Sequence, residues 1–156
     1  YFFTFSYAAV TSHSQKVESK CLRGTECLKE IPIEEYKILL FISFSLPESN
    51  WIAQSKELEK VGGAFLLRGL PNNSFNEFFS KITELRNKGI YAPILIDPES
   101  FEKFSIQKVP TLVLDNGKEF DCMIGNVPIS YALRKFAEKG ETKEVAKAVL
   151  NRMITQ

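Results

Sequence analysis

The chain has 156 residues, 44% of them hydrophobic and 25% charged, which suits one compact domain with some appended sequence and excludes disorder over most of the length. Lys and Arg number 20 against 19 Asp and Glu, so a net charge of +1 leaves no basic block to bind nucleic acid or an anionic membrane surface. No apolar run is long enough to cross a bilayer, so stable membrane insertion of the mature chain is not expected.

Residues 1–10 open the chain without Met, as an apolar stretch containing Tyr1, Phe2, Phe3, Phe5 and Tyr7. They are similar to the end of a secretory signal, with Ser6-Tyr7-Ala8 supplying the small-x-small arrangement that a signal peptidase pocket accepts. An amino-terminal strand or a truncated start is the plainer alternative; export is the working expectation. Residues 11–35 are polar and irregular, with His13, Gly24 and Pro32, and read as an arm. Cys21 and Cys27 lie within it. A local disulfide between them is expected in an exported chain, and a metal site is not, because no nearby His or further Cys completes four ligands. Cys122 is then left over, expected as a buried thiol on a strand, with pairing to Cys21 or Cys27 through a folded-back arm as the alternative.

The domain proper is expected over residues 36–140. Ile38 to Ile42 is an apolar run too short for a helix, which predicts a strand buried on both faces and hence a sheet covered by helices on each side. Pro47 and Ser49 open a helix with Trp51, Ile52, Ser55, Leu58 and Val61 near one stripe, stopped by Gly62-Gly63. Ala64 to Leu67 is a second strand, followed by a turn from Arg68 to Asn73. Ser74 and Glu77 form a capping box at the start of a helix whose Phe75, Phe78, Phe79, Ile82 and Leu85 keep the spacing of a buried face. Ile94 to Ile96 is a third strand. Asp97-Pro98 caps and starts a short helix that carries Phe101 and Phe104 inward. Val109 to Leu114 is a fourth strand, Asn116-Gly117 a hairpin turn, and residues 119–124 return antiparallel. Pro128 starts a helix burying Ile129, Leu133 and Phe136, and Gly140 closes the domain. Residues 141–156 read as one more amphipathic helix, with Val145, Ala146, Val149, Leu150, Met153 and Ile154 on one side, to pack on the domain or on a partner.

This order, with a parallel first half and a hairpin second half, predicts an α/β fold with a central mixed sheet, helices on both faces and an extra C-terminal helix. The residues resemble the thioredoxin fold. Phe44-Ser45-Leu46-Pro47-Glu48 stands where that fold has an aromatic residue followed by Cys-x-Pro-Cys, and Ile106 to Thr111 resembles its cis-proline loop. Ser45 and Glu48 occupy the positions of the two redox cysteines. A hydroxyl cannot act as the attacking thiolate of disulfide exchange, nor a carboxylate as its resolving partner. The sequence alone leaves the Val109-Pro110 isomer open.

Five short motifs in order carry a closer resemblance: Phe41 to Pro47, Leu67-Arg68-Gly69-Leu70, Ile96-Asp97-Pro98, Lys108 to Thr111, and Gly125-Asn126-Val127. Together they are similar to the TrbC family of F-type conjugative pilin-assembly proteins. The resemblance implies a periplasmic accessory component of a type IV secretion apparatus in a Gram-negative bacterium, working through protein contacts, with no known catalytic residues and no cofactor. Its partners would be other pilus-assembly or secretion-system proteins, a pilin segment among them.

Open α/β sheets place their binding crevice at the carboxyl ends of the strands. Phe44, Ser45, Leu46, Pro47 and Trp51, facing Val109, Pro110 and Thr111, are therefore the candidate partner-binding residues. Their competing role is simply to end strands and begin a helix. Arg68 is expected to pair with Asp97 or a helix carboxyl end, and Asp97 to act as a cap. His13 is the only His and completes no catalytic set, and Glu48 is a poor base for the Ser45 hydroxyl. The enzymatic alternative is a divergent thiol-disulfide oxidoreductase or isomerase using Cys21, Cys27 and Cys122.

Overall fold

A computed structural model describes residues 36–156. The five strands are β1 (Lys37–Phe41), β2 (Ala64–Leu67), β3 (Ile94–Ile96), β4 (Thr111–Asp115) and β5 (Phe120–Ile124). The five helices are α1 (Glu48–Lys60), α2 (Phe75–Asn87), α3 (Pro98–Lys103), α4 (Ile129–Lys139) and α5 (Lys143–Thr155). The strands form one mixed sheet in the order β3-β2-β1-β4-β5. β1, β2 and β3 run parallel, joined through α1 and α2, while β4 pairs antiparallel with both β1 and β5. This is the α/β thioredoxin-like architecture expected from the sequence.

Strand alternation divides the core between the two faces of the sheet. Ile38 and Leu40 of β1 and Ile42 just after it, with Phe65, Leu67, Leu112 and Leu114, pack against Trp51 and Leu58 of α1, Leu85 of α2, Leu133 and Phe136 of α4, and Val145 and Val149 of α5. Burying each such side chain contributes about 1.5–3 kcal/mol. The opposite face is covered by less. There Phe41, Leu66 and Val113 pack with Phe101 of α3 and the following Phe104 and Ile106, with the partly buried Leu39, Ala64 and Val109 at the margin. The Phe41 ring lies edge-on to Phe101 at 4.8 Å and to Phe104 at 6.0 Å.

Several helix ends are as the sequence predicts. The Ser74 hydroxyl accepts from the Glu77 amide at 3.2 Å, but the Glu77 carboxylate accepts from the Asn72 side chain at 2.8 Å, so half of the expected capping box forms. Asp97 caps α3 through the Ser100 amide at 3.0 Å. Gly117, at φ 86°, supplies the left-handed residue of the β4–β5 hairpin. α5 packs on α4, with Val145, Ala146 and Val149 buried.

Five burial expectations are corrected. Ile52 is exposed and Gln54 buried instead, because Gln54 lies one turn from Trp51 and donates to the Asn126 side chain at 2.9 Å and the Val127 carbonyl at 2.8 Å. Phe75 and Phe79 are 64% and 61% exposed, since α2 lies toward a sheet edge made of the three-residue β3 and covers it through Phe78 and Leu85. Ile154 also projects into solvent. Cys122 is exposed rather than buried: with Phe120 and Ile124 it points to the thinly covered face, beyond the reach of the short α3.

Candidate functional site

The chain leaves β1 at Phe41 and turns at Ser43, whose carbonyl accepts from the Leu46 amide at 3.1 Å. The Ser43 and Ser45 hydroxyls are 2.9 Å apart, and Pro47 precedes α1. Phe44 stands half-buried at the turn, stacked on Trp51 at 5.2 Å with the Lys81 ammonium 5.4 Å from its ring. Trp51 is 1% exposed, so it supports Phe44 from beneath and offers no surface of its own.

Opposite, the Val109-Pro110 peptide is cis. Pro110 and Thr111 are buried, and the Thr111 hydroxyl donates to the Lys108 carbonyl at 2.7 Å. The Pro110 carbonyl accepts from Gly125 at 2.8 Å and the Ile106 amide donates to Phe101 at 2.8 Å, so the loop is tied at both ends. Between them, β4 begins only at Thr111, and among the described residues no backbone hydrogen bond uses the amide or carbonyl of Val109.

These two segments border a groove of about 760 Å³. Phe44, Ser45 and Val109 reach it as the sequence suggests. Its lining also includes Arg68 to Asn72, Phe101 and Ile106, which the sequence motifs do not mark as site residues, although the loop after a second parallel strand sits at the same carboxyl edge. Leu46 and Trp51 border instead a smaller hollow of about 270 Å³ that shares Phe44 as a wall. Arg68 does not pair with Asp97. Its guanidinium donates to the Ile106 carbonyl at 2.9 Å and lies 5.1 Å from the Phe101 ring centre. The Asp97 carboxylate accepts from the Ser100 hydroxyl and amide, which lowers its pKa from the ordinary value of 3.8.

Among the described residues no thiol borders the groove. The Glu48 carboxylate accepts from Lys88 and does not bond Ser45, and Lys88 also meets Glu84 at 3.1 Å; these two carboxylates raise the Lys88 pKa. No cluster of ligands suited to a metal occurs among the described residues. Cys122 lies on β5, away from the groove lining. Cys21, Cys27 and His13 fall outside the described residues, as does the signal-like opening.

Sheet order, cis-proline loop and the turn after β1 thus define a thioredoxin-like domain without the redox cysteine pair. Residues 40–136 match the family described as type-F conjugative transfer system pilin assembly protein. The chain is also 32% identical over 112 residues to the periplasmic protein TrbC of Escherichia coli (strain K12), covering 72% of this chain and 53% of that protein. The chain belongs to the F-type TrbC family, and it spans about half the length of this relative. No solved structure matches it significantly. No described helix is long and apolar enough to cross a membrane.

Proposed function

We propose that this domain serves pilus assembly in an F-type conjugative type IV secretion system of a Gram-negative bacterium as a non-catalytic periplasmic contact module. Its groove holds an extended segment of another transfer-system protein, a pilin segment being one candidate. Family membership supports the assembly role. The observation that carries the contact role is Val109: its backbone amide and carbonyl stay outside the β4 ladder at the wall of a preformed groove, with Phe44 across from them. Unpaired strand-like groups of this kind take up an extended chain, with neighbouring pockets selecting its side chains. Ser45 and Glu48, where dithiol relatives of the fold carry cysteines, argue for contact in place of exchange.

Gly69 gives the test. A Cβ there meets nothing within 4 Å, so Gly69→Phe adds a ring at the groove lining without a clash at its Cβ. The expected result is capture of transfer-system proteins from periplasm by the unaltered chain, identified by mass spectrometry, and loss of that capture in Gly69→Phe at unchanged melting temperature. Undiminished capture by the folded variant overturns the groove as the contact surface. Insulin reduction that disappears in Cys122→Ser overturns the non-catalytic half.

A further inference from the structure

Arg68 is the one charged residue among those bordering the groove. Among the described residues its one hydrogen bond goes to a neutral carbonyl, that of Ile106, and no ion pair includes it. The aspartate that follows β3 is committed to Ser100 and, among the described residues, leaves the guanidinium without a carboxylate partner. The Ile106 bond and the Phe101 ring together fix the planar fork, so its remaining N–H donors are preorganised. Most of the remaining lining is apolar, including Ile42, Phe44, Leu70, Phe101, Ile106 and Val109, with Ser43, Ser45, Asn72 and Gln107 as its uncharged polar members.

We infer that the groove selects an extended apolar segment carrying one acidic side chain, whose carboxylate is read by Arg68 while its backbone pairs with Val109. This rests on the groove being the contact surface proposed above. An internal Asp or Glu fits better than a chain terminus, because pairing with both the amide and the carbonyl of Val109 requires a residue with a peptide on each side. Charge-assisted, two-pronged contact to a carboxylate is the interaction for which a pinned guanidinium is suited.

The test applies the whole chain, fluorescently labelled, to an array of end-blocked nonapeptides in which every position is varied through all amino acids. Solution binding then compares the best acidic peptide with its Gln or Asn counterpart. Selection of Asp or Glu at one position is expected, with about tenfold weaker binding of the amide peptide. Arg68→Met should bind both peptides alike, at the affinity the unaltered chain shows for the amide peptide. If that variant fails to fold, the acid-to-amide comparison on the unaltered chain decides. Peptides that bind and are lost in Gly69→Phe, yet show no acidic preference, overturn this inference and leave the contact reading standing. Absence of any peptide whose binding Gly69→Phe abolishes overturns both.

Discussion

Asp97 shows how a helix start can be made dependent on pH by one side chain. Its carboxylate accepts from the Ser100 amide at 3.0 Å and from the Ser100 hydroxyl at 2.6 Å, and both bonds lower its pKa. A lowered pKa in the folded state means that the stabilisation is present above the ordinary value of 3.8 and is lost as pH falls through the folded value. Asp97→Ala is expected to destabilise the domain by about 1 kcal/mol at neutral pH, the usual cost of losing a cap. Urea unfolding at neutral and acid pH checks this: the gap between variant and parent should narrow once the parent's carboxylate is protonated. Gly140 is constrained by its surroundings instead. A Cβ there would run into the Asp121 carboxylate and come within 2.8 Å of the Phe136 carbonyl. Gly140→Ala should therefore lower stability by roughly 1–3 kcal/mol, the range for overpacking, as measured by the shift in urea midpoint.

Among the elements, α5 depends most on a group from elsewhere in the chain. It has no side-chain cap of its own, and Asp121 of β5 accepts from the amides of Glu141 and Thr142 at 2.9 and 2.8 Å and from the Thr142 hydroxyl. Asp121→Ala is expected to loosen this helix by about 1–2 kcal/mol, so that its amides exchange roughly tenfold faster while those of β1 and β4 keep their protection. Hydrogen exchange read by NMR or mass spectrometry distinguishes this local effect from general destabilisation. The cap between β5 and α5 was not legible in the sequence, because Asp121 and Thr142 are brought together only by the fold. Glu57 similarly reaches from α1 to accept from the amide and hydroxyl of Ser130 at the start of α4, both at 3.0 Å. What periodicity does reveal is element type and order: every predicted strand and helix is present, and the Asp97 cap follows from local sequence alone. Periodicity cannot say how much sheet lies beneath a stripe. The Phe75 and Phe79 rings miss the core because β3 is a three-residue edge, and Cys122 emerges because α3 is too short to shelter β5. For the site, the motifs led to Phe44, Ser45 and Val109, while the Arg68 wall needed the sheet to be assembled first.

For the whole molecule, the uneven cover of the two faces governs thiol chemistry. Cys122 shares the thin face with Phe120 and Ile124, the latter 61% exposed. With Cys21 and Cys27 expected to pair locally, native protein purified from periplasm should take up one equivalent of maleimide at Cys122. Peptide mapping should recover Cys21 and Cys27 as a linked pair. Blocked Cys122 with a linked peptide to either arm cysteine would reverse that assignment.

The polarity of the strands also gives the domain two poles. The groove lies at the carboxyl ends of β1 and β2, whereas Tyr36, at the start of β1, accepts through its phenol from Arg152 near the end of α5 at 2.9 Å. Tyr36 and Arg152 thus meet at the pole of the sheet opposite the groove. A probe attached at the exposed Ile154 position, on the last turn of α5, would leave the proposed contact groove clear.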